Sequence, residues 1–190
     1  ARSIAERAIA IQEDWPDGHI VLGRVLGLRS RHLVKLRRFS HVDFAAARQS
    51  VERGLKANPS DDEAYVLLAS LWHEEAAWSV QRGQSPRRQL LAARRLLRLG
   101  RTRNPRHADL HRLLAEGFLI ESTSLKNPLL ITESALPALE AALAENPNDA
   151  RTHVSLAEAC LAMATAEQAR GASSQRWRER GLAAAARALE

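Results

Sequence analysis

Apolar residues recur along this chain with a helical period, and prolines divide the pattern into units. Pro16, Pro59, Pro105 and Pro147 each follow a tryptophan or an asparagine, and they lie 43, 46 and 42 residues apart. After each proline comes a short polar stretch and then a run of apolar residues three and four apart. Proline favours turns and helix starts and cannot continue a helix, so the pattern predicts a new unit at each proline.

Four positions form a stripe along the first predicted helix of each unit. They lie six, nine, ten and thirteen residues after the proline, which is the i, i+3, i+4, i+7 spacing of one helix face. The tenth position is always small, as a close approach of two helices requires. The three stripes are Tyr65, Leu68, Ala69 and Trp72, then His111, Leu114, Ala115 and Phe118, then His153, Leu156, Ala157 and Cys160.

A second stripe lies twelve, eight and five residues before each of the same three prolines. Each unit is therefore predicted to be two antiparallel helices, and the chain to be all-α. The composition agrees, since only 4% of the residues are aromatic and helix formers such as Ala, Leu and Arg are abundant. The second stripes are Ala47, Val51 and Gly54, then Ala93, Leu97 and Gly100, then Ala135, Leu139 and Ala142.

The two stripes together resemble the tetratricopeptide repeat. That family's signature is an aromatic residue, Leu with a small residue and a second aromatic, followed by Ala, a large apolar residue, Ala and a closing Pro. The resemblance implies helix pairs stacked in a right-handed superhelix that binds other proteins. The usual unit has about 34 residues, so the longer spacing here predicts longer helices and longer inner loops. The matching residues are Tyr65, Leu68, Ala69, Trp72, Ala93, Leu97, Gly100 and Pro105.

The unit boundaries follow from the stripes. The first unit fits best with its stripe at Leu26 and Gly27, one residue later than in the others, which an insertion in the turn at 15–18 would explain. Both ends of the chain lie inside the pattern, so we expect exposed apolar edges that could join chains end to end. We predict one domain over 1–190, with a partial helix at 1–14, repeats at 17–57, 60–103 and 106–145, and a truncated last repeat at 148–190.

The segment between the helices of the second unit carries a further resemblance. Residues 78–86 read Trp-Ser-Val-Gln-Arg-Gly-Gln-Ser-Pro and precede a helix rich in Leu, Ala and Arg. They resemble the extended repeats found C-terminal to some bacterial serine/threonine protein kinases, and residues 167–171 repeat the motif weakly. This resemblance implies a kinase domain elsewhere in the parent protein.

The composition and motifs disfavour several classes of function. No apolar run approaches the roughly 18 to 20 residues that cross a bilayer, and residues 1–14 lack a signal-peptide pattern, so we expect a cytoplasmic protein without a membrane partner. Cys160 is the only cysteine and cannot form an internal disulfide. His107 and His111 have zinc-ligand spacing but no third ligand, and His111 occupies a packing position of the stripe. We therefore predict a non-catalytic module with no metal and no cofactor.

Positive charge is concentrated in one window. Residues 76–108 hold nine arginines and no acidic residue, whereas the whole chain is +6. A solvated helix face explains this most simply, and an acidic or phosphorylated partner is a second explanation. A nucleic-acid-binding array that uses residues 82–106 is the alternative function, although no aromatic residues alternate with the arginines. The candidate basic patch is Arg87, Arg94, Arg98 and Arg101.

The family resemblance also implies where a partner binds. In that family the ligand lies in a concave groove lined by the first helices, here four, seven, eleven and fourteen residues after each proline. A protein or peptide is therefore the expected partner. The Lys and Asn positions that clamp a terminal carboxylate in some members are absent, which disfavours that ligand. The polar groove candidates are Glu63, Ser70, His73, Asp109, Arg112, Glu116, Arg151 and Glu158.

Overall fold

The computed structural model of the chain describes residues 2–13, 15–36, 38–125 and 129–190. These residues form α-helices and no strand, as the all-α prediction requires. The helices are α1 (Arg2–Ile11), α2 (Pro16–Lys35), α3 (His41–Ala57), α4 (Asp62–Gln81), α5 (Arg87–Arg103), α6 (Ala108–Ser122), α7 (Leu129–Glu145), α8 (Ala150–Ala169) and α9 (Gln175–Arg187).

The helices pack as pairs that stack along the chain. α2 packs on α3, α4 on α5, α6 on α7 and α8 on α9, and each second helix also contacts the first helix of the next pair. The first helices contact one another in sequence, from α2 to α4 to α6 to α8. Within the described ranges, no second helix contacts another second helix. The first helices therefore form a continuous row with the second helices outside it, which is an all-α helical repeat solenoid.

The buried residues follow the two predicted stripes. All residues of the second stripes are buried, and those other than glycine are 0% exposed. In the first stripes, Ala69 and Ala115 are also 0% exposed, so the helices approach closely there. Ala157 is only half-buried. Its predicted burial at a helix crossing is wrong, because α8 contacts α6, α7 and α9 and no further described helix.

The extra length of each unit lies in its helices. α4 has 20 residues and α5 has 17, so the two helices alone exceed the usual unit of about 34 residues. The loops at 82–86 and 170–174 have five residues each, within the ordinary range for a helical hairpin. Gly83 and Gly171 adopt φ values of 68° and 72° at matching places in these loops. The prediction of longer helices is confirmed. These two inner loops are no longer than an ordinary helical hairpin loop, and the predicted loop after α6 lies partly outside the described residues.

The turns before α4, α6 and α8 share one backbone hydrogen bond, and those before α4 and α8 add a side-chain cap that His107, before α6, does not make. The asparagine before each proline donates its backbone N–H to the carbonyl four residues earlier, which closes the preceding helix. Asp61 then begins α4 by accepting the Ala64 N–H at 3.0 Å, and Asp149 accepts the Thr152 N–H at 3.0 Å at the start of α8. These turns fix the angle at which each new pair starts.

A ring at the first stripe position ties each first helix to the turn before it. The phenol or imidazole donates to the carbonyl oxygen six residues earlier, and the histidines must therefore carry a proton on Nε2. This agrees with the predicted packing role of His111. The bonds are Tyr65 Oη to Pro59 O at 3.2 Å, His111 Nε2 to Pro105 O at 2.6 Å and His153 Nε2 to Pro147 O at 2.8 Å.

The first pair has a different register from the predicted one. His19 Nε2 donates to the Glu13 carbonyl at 2.7 Å, so Glu13 stands where the later units have proline. Pro16 instead begins α2, where its missing N–H breaks no helical hydrogen bond. The stripe is therefore His19, Leu22, Gly23 and Leu26, and the predicted stripe at Leu26 and Gly27 is wrong.

Candidate interaction surfaces

The first helices α2, α4, α6 and α8 present a row of side chains away from the second helices, which we call the inner surface. The predicted groove residues divide by exposure. Glu63, Arg151 and Glu158 are exposed, and Ser70, Asp109 and Glu116 are half-buried. His73 and Arg112 are only 4% and 6% exposed because neighbouring first helices cover them. The prediction that these two residues face an open groove is wrong.

The corrected register adds two residues to the inner surface. Asp17 and Arg24 are exposed on α2 and take the positions of Glu63 and Ser70 on α4. The sequence interpretation assigned groove residues only after Pro59, Pro105 and Pro147 and therefore missed them. The inner-surface carboxylates are Asp17, Glu63, Asp109, Glu116 and Glu158, and its exposed arginines are Arg24 and Arg151.

Arg112 is an ion-pair centre between α6 and the start of α8. Its Nη2 lies 2.5 Å from Asp109 Oδ1, its Nη1 pairs with Glu116, and its Nε lies 3.8 Å from Asp149 Oδ2. Burial alone would lower the pKa of Arg112, but the charges and hydrogen bonds of Glu116 and Asp109 outweigh burial and raise it. Arg112 therefore orders the carboxylates of the inner surface from below and is not itself a contact residue.

His73 is buried between α4 and α6 without a hydrogen-bond partner. Both of its ring nitrogens are buried and unpaired within the described part of the chain. Its Nε2 faces Gly117, where an added Cβ atom would lie 3.0 Å away. Burial, together with the positive charges of Arg94 and Arg112, lowers the pKa of His73 from 6.5 to about 4. The imidazole is therefore neutral at physiological pH.

Two successive contacts between helix pairs contain an arginine, an aromatic ring and a glutamate. Arg48 on α3 lies 3.9 Å from the centre of the Trp72 ring and pairs with Glu75 on α4. In the next contact, the same three positions are Arg94, Phe118 and Glu121, with Arg94 lying 4.5 Å from the ring centre. The arginine forms an ion pair while stacking on the ring, which joins the two helices.

These positions recur eleven residues before and thirteen and sixteen residues after each proline. The signal was present in the spacing, but the sequence interpretation treated Arg94 only as part of the basic patch and did not single out Arg48. In the contact between α7 and α8 the equivalent positions are apolar and buried. They are Leu136, Cys160 and Met163.

The four arginines of the predicted basic patch do not share one environment. Arg94 forms an ion pair with Glu121 and stacks on the ring of Phe118. Arg87 and Arg98 are exposed and form no ion pair with the described residues. Arg101 is half-buried, and its Nε is buried without a partner. The structure therefore separates Arg94 from the arginines that solvent or a partner can reach.

The described side chains offer few groups for catalysis or metal binding. No three His, Cys, Asp or Glu residues in the described ranges are grouped so that they could hold a metal ion. Cys160 is 0% exposed, and burial raises the pKa of its thiol. His107 lies 3.5 Å from Glu63, while His111 donates to a backbone carbonyl. In the part of the chain that the structure describes, no helix is both long and apolar enough to cross a membrane.

Comparison with known proteins bears on the fold. No family model matches this chain, and no curated protein matches it. Two crystal structures of MamA are similar to it over 99% and 100% of this chain and 84% and 79% of theirs, each with a TM-score of 0.57 and 14% identity. The fold is a tetratricopeptide-like helical repeat. A thermophilic TPR protein of Thermus thermophilus, TTC0263, has 22% identity and a TM-score of 0.49 over 88% of this chain and 90% of that one.

The last pair of this tetratricopeptide-like array leaves apolar side chains exposed. Val154, Leu161 and Leu182 are 47%, 68% and 72% exposed on α8 and α9. In the earlier pairs, the next first helix covers the positions of Val154 and Leu161. Leu161 and Leu182 border a largely apolar groove of about 430 Å³, which we call the terminal groove. It is lined by Ala157, Leu161, Ala164, Trp177, Arg178, Gly181 and Leu182.

Proposed function

We propose that the chain is a non-catalytic protein-interaction module that binds a protein segment along its inner surface. The observation that carries this proposal is the row of carboxylates at equivalent positions of successive first helices. Packed helices lie roughly 8 to 10 Å apart, and three residues of an extended peptide span about 10 Å. A segment laid across the helices can therefore place every third side chain against the charges of one helix.

The charge of the inner surface favours a basic segment. The inner surface carries five carboxylates but only two exposed arginines. Arg112 is buried beneath two of these carboxylates, Asp109 and Glu116. Lysine or arginine side chains of a partner would find acceptors at Glu63 and Glu158, which form no close ion pair with a basic residue other than the 3.5 Å contact of Glu63 with His107. Such complementarity governs partner choice and association rate.

The test is a pull-down from lysate treated with nuclease, in which the partner is identified and then titrated as a purified protein. The variant Glu63→Lys/Glu158→Lys reverses two exposed charges of the inner surface. The matched control Glu52→Lys/Glu133→Lys makes the same change on exposed residues of α3 and α7. We expect the first variant to lose the partner and the control to retain it. Equal binding by both variants would refute the inner-surface site.

A nucleic-acid-binding array is the second candidate, because Arg87 and Arg98 are exposed and unpaired within the described residues. Phosphate contacts would make binding fall steeply as salt is added. The same pull-down distinguishes the candidates. If nuclease abolishes the recovery of bound material and the inner-surface variant recovers as much as the wild type, the result favours nucleic acid.

Self-association is a further part of the proposal. The terminal groove exposes Leu161 and Leu182, and Ile4 and Ile11 are 65% and 88% exposed on α1. Contact between such surfaces would bury apolar area that water now covers. Sedimentation equilibrium should detect concentration-dependent association that Leu161→Asp abolishes. The control Leu99→Asp, on α5, should associate as the wild type does.

The resemblance of residues 78–86 to kinase-associated repeats suggests a parent protein for this module. We propose that it is the partner-binding part of a cytoplasmic bacterial serine/threonine kinase, supported by the resemblance of residues 78–86. Antibodies against this chain, which has a mass of 21.0 kDa, should then precipitate a much larger protein with kinase activity. Recovery of a protein without such activity would remove this parentage and leave the interaction module unaffected.

A further inference from the structure

α5 has one side that no described helix covers. It contacts α4 and α6 and no other helix in the described ranges, so its opposite side faces solvent. Leu91 and Leu99 are 54% and 52% exposed on that side. We call this side the outer face of α5, and its exposed residues over 87–99 are Arg87, Arg88, Leu91, Arg95, Arg98 and Leu99.

The charge of the outer face is positive and does not continue onto α7. α5 carries seven arginines and no acidic residue, and the four arginines of the outer face form no ion pair with the described residues. α7 is the second helix of the next pair and carries three glutamates and no basic residue. A large anionic surface that touched α5 and α7 together would meet both signs of charge, which disfavours a membrane or a long duplex.

The outer face also offers apolar contacts in register with the charges. Leu91 and Ala92 lie in a shallow depression edged by Ser85, Arg87 and Arg95. Leu99 lies eight residues, or about 12 Å, further along the helix. A phosphate group would make no favourable contact with the two half-exposed leucines. In an amphipathic helix, two apolar residues seven positions apart are separated by about 10.5 Å and can contact both leucines.

We propose that the outer face of α5 binds an acidic amphipathic helix of a partner protein. Apolar side chains of that helix pack on Leu91 and Leu99, and its carboxylates pair with Arg87, Arg95 and Arg98. Arginine suits this role because its guanidinium binds carboxylates in a bidentate manner. The site lies on the side opposite the inner surface, so it can be occupied while that surface binds another partner.

The test uses a designed, fluorescently labelled peptide of about 20 residues, long enough to form helix, with two leucines seven residues apart among glutamates and alanines. A scrambled peptide of the same composition places the leucines on opposite faces. Leu91→Gln/Leu99→Gln removes the apolar contacts without changing charge, and Arg95→Gln/Arg98→Gln removes two charges. The matched control Arg53→Gln/Arg170→Gln removes two exposed, unpaired arginines elsewhere in the described residues.

We expect saturable binding by anisotropy, with both α5 variants at least about tenfold weaker and the control unchanged. The scrambled peptide should bind at least about tenfold more weakly than the designed one. The proposal is overturned if the designed peptide does not bind, if the two peptides bind alike, or if the control loses as much affinity as the arginine variant. The proposal is also overturned if single-stranded RNA or anionic vesicles bind more tightly than the designed peptide and the leucine variant binds them as well as the wild type does. Self-association of the wild type that the arginine variant loses would overturn it too.

Discussion

His73 lies against Gly117 so closely that a Cβ atom at residue 117 would sit 3.0 Å from His73 Nε2. This contact sets the approach of α4 to α6. Gly117→Val should therefore destabilise the protein by roughly 1 to 3 kcal/mol through overpacking, as measured by urea unfolding. A second change, His73→Ala, should remove the clash, so the double variant should lose less than the sum of the single changes. Additive losses would mean that the two residues do not touch.

The buried imidazole of His73 should make stability depend on pH. Its folded pKa of about 4 lies below the ordinary 6.5, so the unfolded chain binds the proton first as pH falls. Stability from this residue is fully present above pH 6.5 and is lost towards pH 4, by at most roughly 3 kcal/mol. Unfolding curves at pH 7 and pH 4.5 should differ less for His73→Met than for the wild type. Arg94 and Arg112, the charges that face the ring, stay positive throughout this range.

The ion pair of Arg48 with Glu75 should be sensitive to loss of one partner. Glu75 is 5% exposed and also bonds His41 Nδ1 at 2.8 Å. Glu75→Ala would leave the Arg48 guanidinium without its carboxylate, so we expect a loss of roughly 3 kcal/mol. The exposed pair of Arg2 with Glu6 gives the comparison, since Glu6→Ala should cost less than about 1 kcal/mol. Similar losses for both variants would contradict the burial of the first pair.

The two small residues Ala115 and Ala157 should respond differently to enlargement. Ala115 is 0% exposed, so Ala115→Leu should destabilise by roughly 1 to 3 kcal/mol. Ala157 borders the terminal groove and is half-buried, so Ala157→Leu should change stability by less than about 0.5 kcal/mol. Thermal unfolding of both variants measures the contrast. Equal effects would show that the terminal groove is not open.

Cys160 should be unreactive in the folded protein. It is fully buried, and burial raises the pKa of its thiol, so little thiolate is present or accessible near neutral pH. A chromogenic thiol reagent should modify it only when urea unfolds the chain. Rapid modification without denaturant would contradict the packing of α8 against α9.

The stripes were predictable because periodicity records which face of a helix is buried. Residues such as Leu97 and Leu139 stand at fixed distances from a proline, and both are 0% exposed. The register of the first pair was not predictable in this way, since Pro16 lies inside a helix start while Glu13 holds the turn position. A proline is compatible with both places, and the hydrogen bond of His19 distinguishes them.

The inner surface was only partly predictable for a different reason. Periodicity gives the direction of a side chain but not the width of the gap between neighbouring helices. The side chains of His73 and Arg112 lie against the first helix of the next pair, which covers both of them. Val154 and Leu161 occupy the same positions on α8 and are exposed. Identical spacing therefore gives opposite exposure, depending on the neighbour.

The contacts that join successive helix pairs differ in chemistry along the array. The first two contacts rely on charge, through Arg48 and Arg94, whereas the third is apolar, through Leu136, Cys160 and Met163. Ions screen the half-buried pair of Arg94 with Glu121 more than the buried pair of Arg48 with Glu75, while salts such as sulfate favour apolar burial. In a repeat protein each link adds its own free energy. The salt of the medium can therefore decide which end of the array frays first.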